Sequence, residues 1–225
     1  MTFDPAQVKA LLFDLDGTLA DSDDEFIVRA AGWLEPWAPR LGLKDGRRWI
    51  RGALQRLEGP KNALYAWMDW LHVDEVLSPL TEGWHKWRRQ SASKSLLIPG
   101  IVKTLAQLGE RYPLAIVTAR GHRNTFNFLE SNELAAYFSV VATARTQRRS
   151  KPHPAPVLWA ASQLGLPPEA CVMVGDTSLD ILSGKRAGAQ TVGVLSGFGL
   201  QRDLESSGAD AILDSCAELP GLLGL

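Results

Sequence analysis

The chain has 225 residues, of which 45% are hydrophobic and 22% charged, as is usual for a globular protein with a packed core. Its formal net charge of −1 does not favour binding to nucleic acid or to an anionic membrane. Two cysteines are too few for a disulfide framework. Residues 1–9 lack a signal-peptide pattern, and no uncharged apolar run approaches the ~20 residues of a membrane helix. We therefore expect a cytoplasmic enzyme or binding protein.

The first predicted strand is an apolar run, residues 10–13, that ends in two aspartates, Asp14 and Asp16, followed by a glycine and a threonine. A continuous apolar run is typical of a buried strand in a parallel sheet. Ligands of such sheets bind at the carboxyl ends of the strands, so both carboxylates should lie at the rim of a site. Neighbouring carboxylates there can hold a divalent cation, form a covalent intermediate or act as an acid/base pair.

Between residues 22 and 95 the pattern becomes helical. Apolar residues recur at helical spacing, as at Leu64, Trp67 and Leu71. The stretch also contains most of the eight tryptophans, which we interpret mainly as core residues because a small helical domain needs large side chains. We predict an all-helical cap domain over residues 22–95, inserted into a core domain formed by residues 1–21 and 96–225.

Beyond the insert, strand-like runs alternate with helical patterns. The predicted strands cover residues 114–117, 139–142, 172–174, 191–195 and, more weakly, 209–213. The predicted helices cover residues 101–108, 123–129, 156–164 and 179–186. This alternation is typical of βαβ units, so the sequence predicts an α/β fold with a parallel sheet covered by helices on both faces.

A second buried strand also brings aspartates to the carboxyl edge. Asp176 follows the apolar run at 172–174, and Asp180 comes four residues later, where a helix is predicted to begin. A single aspartate at such a place is usually a helix cap. Two of them, opposite another acidic strand end, favour a hard cation such as Mg²⁺, because clustered carboxylates repel each other without one.

Two further candidates have weaker signals. Thr118 follows the strand predicted at 114–117 and offers a hydroxyl and a backbone N–H to an oxyanion. Lys151 lies beside prolines ahead of a predicted helix, where its ammonium could hold both a carboxylate and a phosphate oxygen. Taken alone, Thr118 is better explained as a helix cap and Lys151 as a surface charge.

In this order, the segments 14–18 and 175–180, with Thr118 and Lys151 between them, resemble the motifs of the haloacid dehalogenase superfamily. The insert after the first motif is similar to the cap of its subfamily I, and residues 184–188 are similar to its phosphoglycolate phosphatase-like branch. The resemblance implies a Rossmann-like core with a helical cap. It also implies a Mg²⁺-dependent phosphatase that hydrolyses a small phosphomonoester such as phosphoglycolate.

The resemblance further implies a role for each residue. Asp14 would be the nucleophile that forms an aspartyl-phosphate, and Asp16 would be the general acid and then the base. Thr118 and Lys151 would bind the phosphoryl oxygens. The residues that would hold Mg²⁺ are Asp14, Asp16 through its backbone carbonyl, Asp176, and Asp180 directly or through water.

Three other functions stay open. A β-phosphoglucomutase-like mutase would return the phosphoryl group to a sugar, and an inorganic pyrophosphatase would hydrolyse pyrophosphate. A binding protein would use the scaffold without turnover, although it would then have no need for Asp16. Dehalogenation is disfavoured, because the dehalogenases of the superfamily lack an acid at the position of Asp16. We expect a small phosphorylated metabolite as the partner, no nucleic acid or membrane, and a monomer or homodimer.

Two further patterns are weaker. Arg47, Arg48 and Arg51 in the predicted cap could direct one guanidinium to a substrate carboxylate or a second phosphate. Gly197 and Gly199 flank a single residue behind a late strand. This pattern is too short for a dinucleotide-binding motif, so we interpret it as a loop.

Overall fold

A computed structural model describes residues 3–21, 96–197 and 199–225. The predicted cap, including its tryptophans and Arg47, Arg48 and Arg51, lies outside these residues. The proposed domain boundaries therefore stay a prediction.

The described residues form eight strands. In chain order these are β1 (Ala10–Phe13), β2 (Ala20–Asp21), β3 (Leu96–Leu97), β4 (Leu114–Val117), β5 (Phe138–Ala142), β6 (Cys171–Gly175), β7 (Gln190–Val194) and β8 (Ala211–Leu213). A six-stranded sheet has the spatial order β5-β4-β1-β6-β7-β8, and each neighbouring pair is parallel. The predicted parallel sheet is thus confirmed. The last strand is shorter than predicted and begins at Ala211, because the Ala209 N–H donates to the Leu204 carbonyl at 3.1 Å and so belongs to the end of the preceding helix.

Helices separate the strands as predicted. The α-helices are α1 (Ile101–Gly109), α2 (His122–Ser131), α3 (Ala155–Gln163), α4 (Ser178–Ala187), α5 (Gln201–Ser206) and α6 (Leu219–Leu222). Short 3-10 helices cover Pro5–Gln7, Ala135–Tyr137, Pro168–Ala170 and Cys216–Glu218. The sequence patterns predict α1 to α4, whereas α5 and α6 are too short for a helical period to be recognised.

Both faces of the sheet are covered by apolar side chains. In β1, Leu11 and Phe13 belong to one buried cluster, and Ala10 and Leu12 belong to another on the opposite face. Successive side chains of a strand point to opposite faces, so a strand buried on both sides needs an uninterrupted apolar run. This explains why the central strands are readable from the sequence.

A separate two-stranded sheet lies where the chain leaves and re-enters the core. β2 and β3 pair antiparallel, with Ala20 opposite Leu97 and Asp21 opposite Leu96. The sequence gives no signal for strands this short. The pairing brings together Asp21 and Leu96, the described residues on either side of the segment 22–95, directly behind the first acidic motif.

Candidate active site

The candidate site lies where the strand order of the sheet reverses. From β1 the chain continues to β4 and β5 on one side, and later fills the other side with β6, β7 and β8. Ligands of open α/β sheets bind outside the carboxyl ends of the strands at such a switch point. Asp14 follows β1 and Asp176 follows β6, and the parallel register of Phe13 with Val174 puts them on neighbouring strand ends. Thr118 follows β4, on the other side of β1.

Three buried carboxylates converge at this edge. Asp14, Asp176 and Asp180 each offer one oxygen, and these oxygens all lie within 4.8 Å of one another. Buried carboxylates this close repel each other and have lost much of their hydration, so they need cationic partners. A set of carboxylate oxygens without sulfur or imidazole is the donor chemistry of a hard divalent cation. The residues present therefore fit the metal that the sequence implies.

The Asp176 side chain occupies a space that glycines leave open. A Cβ on Gly17 would lie 2.4 Å from Asp176 Oδ2, and one on Gly197 would lie 2.0 Å from the same atom. A Cβ on Gly199 would lie 1.6 Å from the Asp176 carbonyl oxygen. The Ser196 hydroxyl donates to the Gly17 carbonyl at 2.7 Å and so links the two loops. The glycines that we interpreted only as a loop thus make room for a candidate metal ligand.

Lys151 is the cationic partner of two of the carboxylates. Its Nζ lies 2.9 Å from Asp14 Oδ1 and 2.5 Å from Asp180 Oδ1. It also donates to the Val117 carbonyl at 3.0 Å. These contacts engage all three N–H donors of the ammonium. The structure thus places Lys151 beside two of the aspartates, and a phosphate oxygen could reach it only by sharing or displacing one of these contacts.

Asp180 has a structural role in addition to its place in the cluster. Its Oδ2 accepts hydrogen bonds from the Thr177 N–H at 3.1 Å and the Thr177 hydroxyl at 2.7 Å. These contacts close the N-terminus of α4, where backbone N–H groups lack helical partners. The other oxygen, Oδ1, accepts from Lys151. Asp180 therefore fixes both the helix and the ammonium.

The electrostatics of the pair follow from burial. Burial raises the pKa of the Asp14 carboxyl to about 6, although Lys151 opposes the shift, and Asp180 and Asp16 add to it. Burial lowers the pKa of Lys151, but its two carboxylate partners raise it by more, so the net shift is upward. The lysine thus keeps its charge, whereas the raised pKa of Asp14 means that its ionised form is less favourable here than in water. A further cation near Asp14 would favour its ionised form.

Thr118 can offer less to an oxyanion than the sequence predicts. Its backbone N–H donates to the Ala142 carbonyl at 2.9 Å and so belongs to the sheet. Its Oγ1 accepts a hydrogen bond from the Arg120 N–H at 3.1 Å. The prediction of a backbone N–H available to phosphate is wrong, because the strand pairing extends one residue beyond β4. The hydroxyl proton is the group of Thr118 that could contact a phosphoryl oxygen.

Asp16 faces a residue that the sequence patterns do not single out. The guanidinium of Arg120 binds both of its carboxylate oxygens, with Nε 2.7 Å from Oδ2 and with Nη2 in contact with Oδ1. Such a two-pronged contact is the strongest geometry of an arginine–carboxylate pair. The one available signal was an arginine two residues behind Thr118 at a strand end. Sequence order alone cannot show that it reaches the loop behind β1.

The fold and the site together define the class of protein. The family model of haloacid dehalogenase-like hydrolases matches residues 11–194, which include all the residues of the acidic cluster and their partners. The chain belongs to this family.

Individual relatives are similar over nearly their whole length. A phosphoglycolate phosphatase of Nitrosococcus oceani is 30% identical over 96% of this chain and 97% of its own. A pyrophosphatase of Anoxybacillus flavithermus is 29% identical over 97% and 98%, respectively. A solved haloacid dehalogenase-like hydrolase from Streptococcus pneumoniae superposes with a TM-score of 0.69 at 25% identity, covering 96% of this chain and 99% of that one.

These comparisons confirm several predictions from the sequence. The family, the Rossmann-like α/β class and a hydrolase of the phosphatase type are as expected. Among the described residues, no helix is both long and apolar enough to cross a membrane.

Proposed function

We propose that the protein is a Mg²⁺-dependent phosphatase that hydrolyses a small phosphomonoester through an aspartyl-phosphate on Asp14. The observation that carries the proposal is the division of the acidic residues into two sets. Asp14 belongs to the buried cluster with Asp176 and Asp180, whereas the Asp16 carboxylate is bound by Arg120. A nucleophile beside a cation and a separate proton carrier are what this reaction needs.

Charge balance supports the divalent ion. In the described part of the chain, the acidic side chains of the site, Asp14, Asp16, Asp176 and Asp180, outnumber the basic side chains paired with them, Lys151 and Arg120. Asp14, Asp176 and Asp180 would hold the metal, with the Asp16 backbone carbonyl as a further oxygen ligand. Once bound, Mg²⁺ would supply the positive charge that offsets the carboxylates and the phosphoryl oxygens.

The chemistry assigned to the chain runs in two steps. An Asp14 oxygen attacks phosphorus, the bond from phosphorus to the leaving oxygen breaks, and that oxygen takes the proton of Asp16, which enters this step as the carboxylic acid. A water molecule then attacks the aspartyl-phosphate and gives a proton to Asp16, so that inorganic phosphate leaves and the Asp14 carboxylate is restored. Lys151 and the Thr118 hydroxyl would stabilise the phosphoryl oxygens as their charge shifts.

The relatives support a choice of substrates. The phosphoglycolate phosphatase relative supports phosphoglycolate as the first candidate. The pyrophosphatase relative, of nearly equal identity, makes pyrophosphate the second. The predictions of a cytoplasmic location and of a monomer or homodimer stay predictions.

The test is phosphate release with Mg²⁺ from phosphoglycolate, pyrophosphate, sugar phosphates and nucleotides. Wild type would be compared with Asp14→Asn, and with Asp203→Asn as a control in α5 that lies outside the acidic cluster. Release that disappears in Asp14→Asn and with a chelator, but persists in Asp203→Asn, would support the proposal. No release from any substrate by folded wild type would overturn it. Isomerisation of a hexose phosphate would then indicate the mutase.

A further inference from the structure

Arg120 is held in place by contacts other than its contact with Asp16. Its backbone N–H donates to Thr118 Oγ1 at 3.1 Å, and its carbonyl accepts from the Ala144 N–H at 2.9 Å. Its guanidinium carbon lies 5.1 Å from the ring centroid of Phe128, a buried residue of α2. The side chain is 12% exposed. A cation over an aromatic face and an anchored backbone leave the guanidinium little freedom.

Asp16 is the more exposed of the two carboxylates in the first acidic motif. It lies in the loop behind β1, and its side chain is 29% exposed, compared with 11% for Asp14. A partly exposed carboxylate on a loop has several rotamers of similar energy. The rigid fork of Arg120 selects one of them, because it engages both oxygens at once.

Orientation matters for a group that moves a proton. A proton carrier must lie within hydrogen-bond reach of the reacting oxygen, and small displacements in such geometry have large effects on rate. While Arg120 holds both oxygens of Asp16, one contact must open before that oxygen can share a proton with the substrate. The remaining contact can keep the carboxylate in place.

We propose that Arg120 is a positioning residue for Asp16: it holds both oxygens of the ionised carboxylate, and it keeps one of these contacts while the other oxygen carries the proton. This inference rests on the proposed function, because it assigns Asp16 the role of proton carrier. Arg120 acts on the leaving group through Asp16 and has no direct part in binding the phosphoryl group.

The test compares leaving groups, using kcat/KM, which reports on the steps up to loss of the leaving group. The enzyme with Mg²⁺ would be assayed on an alkyl phosphate, which needs a proton on its leaving oxygen, and on 4-nitrophenyl phosphate, which does not. The variants are Arg120→Gln, Arg120→Lys, Asp16→Asn and the double variant of Asp16→Asn with Arg120→Gln. Arg202→Gln is the control, since that arginine pairs with Asp203 on the exposed surface.

We expect Arg120→Gln to reduce kcat/KM for the alkyl phosphate by about 100-fold, the usual effect of a small misplacement, and for 4-nitrophenyl phosphate by less than about 5-fold. Arg120→Lys keeps the charge but loses the fork, so it should recover part of the activity. In the Asp16→Asn background, Arg120→Gln should add no further loss.

Other results would overturn the inference. Equal losses with both substrates would make Arg120 merely structural, and an added loss on top of Asp16→Asn would mean that it contacts the substrate itself. Should Arg120→Gln fail to fold, Arg120→Lys provides the same comparison. If folded wild type hydrolyses neither substrate, the proposed function fails and this inference with it. If wild type hydrolyses both, and the Arg120 variants keep its substrate ratio while Asp16→Asn does not, only the inference fails.

Discussion

Lys151 and Asp14 form an ion pair across the carboxyl edge of the sheet, with 2.9 Å between Nζ and Oδ1. The lysine precedes α3 and the aspartate follows β1, so the pair joins distant parts of the chain. The same ammonium lies 2.5 Å from Asp180 Oδ1. One cation therefore stabilises two buried carboxylates, and its loss should weaken the fold before any substrate binds.

Lys151→Met tests this dependence. The variant leaves two buried carboxylates without their cationic partner, and removing one member of a buried pair typically destabilises a protein by about 3–5 kcal/mol. We expect a decrease of that size in the free energy of unfolding, measured by urea unfolding with a chelator present. Added Mg²⁺ should recover part of the stability but not the phosphatase activity, since Lys151 is also assigned to the phosphoryl oxygens.

A control is available away from the acidic cluster, at the C-terminal end of α4. Lys185 pairs with Asp210 at 2.8 Å, but the lysine side chain is 27% exposed. Asp210 also keeps hydrogen bonds from the Thr191 N–H and hydroxyl. Asp210 is only 2% exposed, but it is a single carboxylate that keeps two hydrogen bonds, so Lys185→Met should lower stability less than Lys151→Met and leave activity unchanged. A similar decrease in both variants would contradict a special role for Lys151.

Gly197→Ala tests the cradle around Asp176, by which we mean the space that Gly17, Gly197 and Gly199 leave open for this residue. A Cβ 2.0 Å from Asp176 Oδ2 cannot be accommodated unless the carboxylate or the loop moves. We expect the variant to bind Mg²⁺ at least about 10-fold more weakly, as is usual when groups that orient a metal ligand are changed. The measurement is the Mg²⁺-dependent increase in Tm, which needs no substrate.

Two glycines serve as controls for this variant. A Cβ on Gly221, in α6, would meet nothing within 4 Å, so Gly221→Ala should not lower Tm and should leave the response to Mg²⁺ unchanged. Gly193→Ala would place its Cβ 2.9 Å from Leu204 Cδ1, away from the carboxylates. It should lower Tm but keep the full response to Mg²⁺. If Gly197→Ala behaved like Gly193→Ala, the cradle would be a packing feature only.

The sequence predicts the sheet well because its strands are buried on both faces. An apolar run such as residues 10–13 is compatible with few other structures, and its alternate side chains enter both clusters. The acidic residues are predictable for a related reason. Strand ends of a parallel sheet lie at one edge, so Asp14 and Asp176 must be close once the strand order is known.

Other features depend on contacts that no local pattern records. Arg120 and Asp16 are 104 positions apart, and an arginine behind a strand is usually solvated. The hydrogen bond from the Thr118 N–H to Ala142 depends on how far two strands pair beyond their apolar residues. The glycine pattern at 197 and 199 shows a loop, but not that the loop closes over Asp176. These are tertiary relationships, and they determine how the predicted residues can act.

Asp180→Asn should be more disruptive to the fold than its place in a metal cluster suggests. The carboxylate accepts hydrogen bonds from both Thr177 groups and from Lys151. The amide N–H₂ of an asparagine would face the donors of Thr177 or Lys151 and could not accept from them. A buried group left without a hydrogen-bond partner destabilises a protein by about 1–3 kcal/mol. We expect a decrease of this size in urea unfolding with a chelator present. Asp176→Asn is the comparison, because it removes another of the clustered charges and leaves the hydrogen bonds from Thr177 to Asp180 in place.

The result of this comparison separates two roles. Asp176→Asn should lose the Mg²⁺-dependent increase in Tm with little decrease in metal-free stability, because like-charge repulsion in the cluster is reduced. Asp180→Asn should lose more of the metal-free stability and keep more of the Mg²⁺-dependent increase in Tm. Equal metal-free stability of the two variants would argue against the structural role of Asp180.

The two cysteines should be unreactive in the folded protein. Both are buried, and burial raises the pKa of the Cys171 thiol to about 11 and shifts that of Cys216 upward as well. Because the thiolate is the reactive form, a disulfide reagent at pH 8 should modify neither thiol until denaturant is added. Cys216→Ala would leave Cys171 as the one thiol to follow. Rapid reaction of that variant under native conditions would contradict the burial of Cys171.

The raised pKa of Cys171 also predicts how the stability of the protein changes at alkaline pH. The folded-state pKa of Cys171 lies above its ordinary value of 9.0, so the thiol's contribution to stability is complete below about pH 9. It is lost as the pH rises from there through about 11, because the unfolded chain ionises first. The wild type should therefore lose stability relative to Cys171→Ala over this range, as measured by urea unfolding at several pH values. A constant difference between the two proteins would show that Cys171 ionises equally easily in the folded and unfolded states.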